Sequence, residues 1–191
     1  MNSTKVRPAS LPSNYFSPRA YVQSDSASGL LANRDGKRLI AIPEVLLNCI
    51  HETLLAEAGE AASMAFYTFG YSWGKSFYSR VSKEIEGYYG TAIANMNAPE
   101  FFAILQQLWG VHGLGKIIVD FTHAQDGLLL VTIENSGILK INTNAEVKSF
   151  SVEAGFLGGW FSALTGQDLM AKATEWDLNS KRIQYMVEVK T

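Results

Sequence analysis

Residues 116–134 read KIIVDFTHAQDGLLLVTIE and residues 168–189 read DLMAKATEWDLNSKRIQYMVEV, and the nature of these two stretches decides the fold. In the first, Lys116–Thr122 alternates as a strand and Leu128–Glu134 answers it. The joining Ala124–Gly127 ends in the Asp-Gly pair that favours a hairpin turn. In the second, Asp168–Trp176 runs to a turn at residues 178–181, and Arg182–Val189 returns. There Ile183, Tyr185, Val187 and Val189 share one face, while Gln184, Glu188 and Lys190 take the other. Two such hairpins make an antiparallel sheet.

Between the hairpins the pattern predicts a helix over Ala145–Leu164. Its Gly155-Phe-Leu-Gly-Gly-Trp-Phe161 string would weaken an isolated helix, since each glycine costs about 1 kcal/mol relative to alanine. A helix of this composition is expected to be buried against another backbone. Upstream, Pro99 and Glu100 open a helix to about Trp109, with Phe101, Phe102, Leu105, Leu108 and Trp109 as its buried stripe. A longer helix is expected from Glu60 to Ile85, followed by a loop over Glu86–Met96. An earlier helix, from Pro43 in its first turn to about Ala58, carries Val45, Leu46, Cys49, Ile50, Thr53 and Leu54 at helical spacing. The fold class that follows is α+β: an antiparallel sheet of two hairpins packed with about four helices.

Residues 1–38 differ from the rest. They hold three of the five prolines and six basic residues against two acidic ones, within a chain of net charge −2. They are expected to form a flexible or loosely docked basic tail, either a solvated extension or a docking arm for an acidic partner or lipid surface. Tyr15, Phe16 and Tyr21 could pack part of it on the domain, which is expected to span residues 39–191. With 47% hydrophobic and 18% charged residues the chain can bury a sizeable core. Its acidic balance argues against broad nucleic-acid binding. No apolar run reaches the roughly 18 residues of a membrane span, and Met1–Ser28 carries no leader-like apolar core, so a cytoplasmic location is expected. One cysteine, Cys49, precludes an internal disulfide or a multi-thiolate metal site, and a buried structural thiol is expected.

Signatures of catalysis are absent. Gly110-Val-His-Gly-Leu-Gly115 precedes a strand instead of opening a helix, so it does not read as a phosphate loop. His51, His112 and His123 lie in three different elements, which argues against a shared metal. His51 reads as a polar-edge histidine and His123 as solvated. His112 becomes an axial ligand or proton donor only if it faces a pocket. Glu175 is either an outward carboxylate or a partly buried acid. What stands out is a concentration of rings and small residues on three helices: Phe69, Trp73 and Phe77; Phe102, Leu105 and Trp109; Phe156 and Trp160. These eight are the candidate ligand-binding residues. They form either an ordinary aromatic core, with glycines for helix contact, or a pocket for a flat or long apolar ligand beside which glycine makes room.

Several strings resemble the 4-vinyl reductase-type domain family, of the ligand-binding superfamily that includes haem nitric-oxide sensors and Golgi transport-particle (TRAPP) subunits. These are Ala65-Phe-Tyr-Thr-Phe-Gly-Tyr-Ser-Trp-Gly-Lys75, Gly113-Leu-Gly-Lys116, Val152-Glu-Ala-Gly-Phe-Leu-Gly-Gly-Trp160 and Leu164-Thr-Gly-Gln-Asp168. The resemblance implies an antiparallel sheet flanked by helices, often dimeric, with an interior pocket for a hydrophobic small molecule. Similar short proteins occur in cyanobacteria in association with pigment–protein or photosystem biogenesis. It therefore implies a tetrapyrrole-like ligand, a homodimer and photosystem assembly partners. Many members carry cysteines before the Gly-Phe-Leu string and in the last hairpin. Here those places read Ser149-Phe-Ser151 and Leu178–Met186, so no thiolate-held cluster is expected, and Cys49 does not match the acylated cysteine of the transport-particle relatives. The leading function is a non-catalytic binding module. The alternatives are a vinyl reductase subunit fed electrons by a partner, and a ligand-free dimeric scaffold.

Overall fold

The computed structural model describes residues 21–136, 151–177 and 179–190. The expectations for residues 1–20, for the start of the helix at 145–150 and for Leu178 lie outside them. The fold is α+β. Its elements in chain order are β1 (Val22–Asp25), β2 (Leu30–Asn33), β3 (Arg38–Leu39), α1 (Glu44–Ala58), α2 (Glu60–Tyr89), a 3-10 turn (Ile93–Asn95) and α3 (Ala98–Val111). There follow β4 (Lys116–Asp120), β5 (Leu129–Glu134), α4 (Ser151–Thr165), β6 (Leu169–Asp177) and β7 (Arg182–Val189).

The two expected hairpins are β4–β5 and β6–β7. They join through β5 and β7 into one antiparallel sheet of order β4-β5-β7-β6, with Val131 opposite Tyr185. Period-two alternation sets its buried face: Ile183, Tyr185 and Val187 on β7, Val131 and Ile133 on β5, and Ile117 on β4. Val189, assigned to that face, is exposed at the strand end. Glu175 is exposed, beside a register shift in β6. α3 begins at Asn97, whose side chain accepts from the Glu100 N–H at 2.9 Å, and it buries Phe101, Ile104, Leu105, Leu108 and Trp109.

The expected loop over 86–96 is shorter than the spacing suggested, because α2 runs on to Tyr89 and ends on Gly90 in the left-handed conformation. A larger difference lies at the N-terminal side. Residues 22–38, read as part of the basic tail, form with Leu39 an antiparallel meander β1-β2-β3. Its anchor is Glu84 on α2, whose side chain is only 2% exposed. Tyr21 Oη donates to Glu84 Oε2 at 3.1 Å and Asn33 Nδ2 donates to Oε1 at 3.2 Å, with Lys37 Nζ at 3.6 Å. Asn33 Oδ1 in turn accepts the N–H groups of Asp35 and Lys37, closing the β2–β3 turn. A buried carboxylate needs several donors to offset its lost hydration, and the meander supplies them. Burial pushes the Tyr21 phenol up to about 12.

The expectation of a buried Cys49 is corrected. The thiol is exposed, because α1 buries none of its side chains and turns Val45, Leu46 and Ile50 outward. The half-buried residues of α1 are Asn48, His51 and Leu55, and the His51 ring stacks on Phe66 of α2 at 4.8 Å.

Candidate ligand-binding site

The site is organised by a glycine seam. Gly70 and Gly74 on α2 meet Gly155 and Gly159 on α4, each pair at i, i+4 and therefore on one side of its helix. A Cβ at Gly70 would lie 2.1 Å from the Val152 carbonyl oxygen, and one at Gly74 2.2 Å from that of Phe156. On the other side, Gly155 and Gly159 would meet the Tyr67 and Tyr71 carbonyl oxygens at 2.1 and 2.0 Å. Only glycine allows two backbones this close. The glycines thus serve helix contact, and α4 is buried from Glu153 to Ser162.

The seam divides the aromatic residues of α2. Trp73 and Phe77 lie on one side of the glycine row; Tyr67 and Tyr71 lie on the other.

On the Trp73 side the structure gathers most of the expected residues. Phe77, Leu105, Trp109, Phe156 and Trp160 are buried, while Trp73 and Phe102 are half-buried. Phe156 sits at the centre, with ring centroids of Trp73 at 4.5 Å, Trp109 at 5.0 Å, Phe77 at 5.6 Å and Trp160 at 5.9 Å. Phe102 packs farther out, against Phe121 at 4.5 Å and Phe161 at 6.1 Å. Phe69 stands apart: it is 61% exposed, and among the described residues its ring meets the group at Trp73, 6.4 Å away. Phe156 thus has four aromatic neighbours within 6 Å between centroids.

Two buried polar atoms in this cluster have no hydrogen-bond partner among the described residues: His112 Nε2 and Trp160 Nε1. Both groups flank Phe77, at 5.3 and 5.5 Å between centroids. His112 Nδ1 lies 2.8 Å from the Leu108 carbonyl oxygen, which can only accept. The hydrogen therefore sits on Nδ1 and leaves Nε2 as an acceptor. Burial lowers the His112 pKa from its ordinary value and so favours the neutral ring.

On the Tyr67 side the structure opens a cleft of about 820 Å³. None of the eight expected residues lines it. Tyr67, Tyr71 and Lys75, one row of α2, form one wall; Ser162 of α4, Asp168, Met170 of β6 and Lys190 contribute to the others. The two tyrosine rings stack at 6.5 Å and 21°. The Tyr71 hydroxyl donates to Asp168 Oδ1 at 2.6 Å and lies 3.1 Å from Ser162 Oγ, while Lys190 Nζ faces Asp168 Oδ2 at 3.9 Å. Lys75 Nζ rests 4.7 Å from the centroid of the Tyr71 ring. Tyr67 receives the Ala171 N–H of edge strand β6 at 3.4 Å, and burial raises its pKa. The local signal for this wall was the Tyr67, Tyr71, Lys75 spacing, set apart from Trp73 and Phe77 by the glycine row.

Of the other polar candidates, His123 is exposed and lies 3.8 Å from Asp126. Among the described residues no three His, Cys, Asp or Glu side chains gather as metal ligands, and no helix is long and apolar enough to cross a membrane.

No family model matches the chain, and no curated protein matches it. Solved structures do. The phenol-responsive sensory domain of the transcription activator PoxR, solved with phenol, matches at TM-score 0.64 and 15% identity over 88% of this chain and 85% of that one. A trafficking protein particle complex subunit 3 from Naegleria fowleri, covalently bound to palmitic acid, matches at TM-score 0.56 and 11% identity, covering 78% and 93%. A vinyl-4-reductase family protein from Methanocaldococcus jannaschii matches at TM-score 0.50 and 12% identity, covering 80% and 85%. At these identities the likeness is one of architecture: this chain shares the fold common to a phenol-sensing domain, a trafficking-complex subunit and a vinyl-4-reductase family protein.

Proposed function

We propose that the chain is a non-catalytic binding module for an apolar small molecule, held in the cleft beside the glycine seam. The observation that carries this reading is the cleft itself. Its volume of about 820 Å³ falls within the range of ligand pockets, and one wall is built on a helix pair locked backbone to backbone. Two of the fold's relatives were solved with small apolar molecules, phenol and palmitic acid. The ligand class we assign is tetrapyrrole-like, with a role in pigment or photosystem biogenesis. The family resemblance of the sequence supports it, as does a stacked pair of tyrosines for a flat body.

The test is an absorbance titration of the purified chain with biliverdin, protoporphyrin IX and haem. A saturable shift with one of them is expected, lost in Tyr71→Ala. Absence of any saturable shift would remove the tetrapyrrole assignment. Turnover of a divinyl pigment precursor with added reductant would favour the vinyl reductase reading instead.

A second reading keeps the ligand on the ring side, among Phe69, Trp73, Phe77, Phe102, Leu105, Trp109, Phe156 and Trp160. The unpartnered His112 Nε2 and Trp160 Nε1 favour it, because a ligand with one donor and one acceptor satisfies both. Under this reading His112→Ala abolishes the shift and Tyr71→Ala does not.

The homodimer belongs to the proposal too. Val45, Leu46 and Ile50 are exposed on α1, with Ile42 exposed just before it, and α1 has no lysine or arginine to draw it to an anionic membrane. A second copy is the occupant we assign to this face. Sedimentation is expected to show a dimer for the native chain and a monomer for the double variant Leu46→Glu, Ile50→Glu. A native chain that stays monomeric at about 100 μM would overturn the assignment.

A further inference from the structure

We infer that the cleft selects its ligand by a carboxylate, and that Lys75 is the residue that reads it. The inference rests on the proposed cleft reading and adds the ligand's charge.

Three charged side chains line the cleft: Lys75, Lys190 and Asp168. The two oxygens of Asp168 both have partners at the exposed rim of the cleft, one the Tyr71 hydroxyl at 2.6 Å and the other Lys190 at 3.9 Å. Asp168 is thus spent on holding the tyrosine wall. Lys75 has no carboxylate partner among the described residues, and its ammonium rests over the face of Tyr71. The lining therefore keeps one cation uncommitted, fixed beside an aromatic wall.

The same lining includes apolar surface, from the rings of Tyr67 and Tyr71 and from Ala163, Leu169 and Met170, beside the polar Thr68, Ser162 and Gln167. An uncommitted ammonium beside the aromatic wall of the cleft favours a molecule with a flat apolar body and an acid group at its edge. The body covers the tyrosine faces, and the acid exchanges water for the ammonium. A neutral body of the same shape gains the first contact but not the second.

The test compares 1-naphthoate with 1-naphthalenemethanol, which share the ring system and differ in charge. Binding to the full chain is followed by titration calorimetry at low salt. Naphthoate is expected to bind saturably and at least about tenfold more tightly than the alcohol. In Lys75→Glu that preference is expected to collapse to about one, and in Lys75→Arg to persist. Lys75 is exposed, so the variants should fold; far-UV circular dichroism verifies this. Equal affinity for both probes, or a preference that survives Lys75→Glu, would overturn the inference while leaving the cleft a binding site. If neither probe binds saturably, the cleft reading fails and the inference falls with it.

Discussion

Replacing Gly159 by alanine is expected to destabilise the chain by about 3 kcal/mol or more, at the upper end of overpacking costs, whereas the same change at Gly87 is expected to stabilise it by about 0.5–1 kcal/mol. Both glycines lie inside helices, so helix propensity favours alanine at each. Their surroundings differ. A Cβ at Gly159 meets the Tyr71 carbonyl oxygen at 2.0 Å and the Tyr71 Cα at 3.0 Å, backbone atoms that no side-chain rotation can clear. At Gly87 nothing lies within 4 Å. The clash forces α2 and α4 apart, and these two helices share the most extensive contact in the molecule. Separation loosens the rings on one side of the seam and the tyrosine wall on the other. Urea unfolding of the two variants beside the native chain measures both effects. A Gly159→Ala variant as stable as the native chain would mean that the helices do not touch as described.

The sequence carried the sheet better than it carried the site. Alternation over Arg182–Val189 needs only local information, and the strand it predicts coincides with β7. The Gly155–Trp160 string likewise announced a helix against another backbone, because glycine so dense in a helix is tolerable only where packing requires it. Local pattern could not say which backbone, nor which side of the crossing would be open. The cleft is closed by Tyr71 and Asp168, 97 positions apart in the chain, and no spacing rule links them. The β1–β3 meander was hidden for the same reason. Its strands are only two to four residues long, and its hold on the domain comes from Tyr21 and Asn33 reaching Glu84, 63 and 51 positions away. In α1 the apolar stripe was legible, but a stripe does not specify what covers it; the structure turns it, with Cys49, to the outside.

Glu153 is the position where a pH experiment should show the largest effect. It lies in the first turn of α4, fully buried, and accepts hydrogen bonds from the Ser136 hydroxyl and from the Tyr185 hydroxyl, the latter at 2.5 Å. Burial raises its pKa above the ordinary glutamate value; the two hydrogen bonds pull the other way without cancelling it. Tyr185, buried against this acid, is pushed well above the usual phenol range. The sign of the linkage follows. Between the unfolded and folded values of Glu153 the native state holds a proton that the unfolded chain has released, so stability from this group falls as pH rises through that window. Glu153→Gln has no such proton to lose. The native chain is therefore expected to have its greatest advantage over Glu153→Gln near about pH 4, and to lose it progressively as the pH is raised toward neutrality. Glu153→Ala removes the acceptor altogether, leaving the buried Tyr185 hydroxyl without it and a void beside it. That variant is expected to be less stable by about 3 kcal/mol or more at any pH. Urea midpoints for the three proteins across the range separate these outcomes. A gap between native and Glu153→Gln that stays constant with pH would show that the two hydrogen bonds offset the cost of burial and that this carboxyl keeps an ordinary pKa.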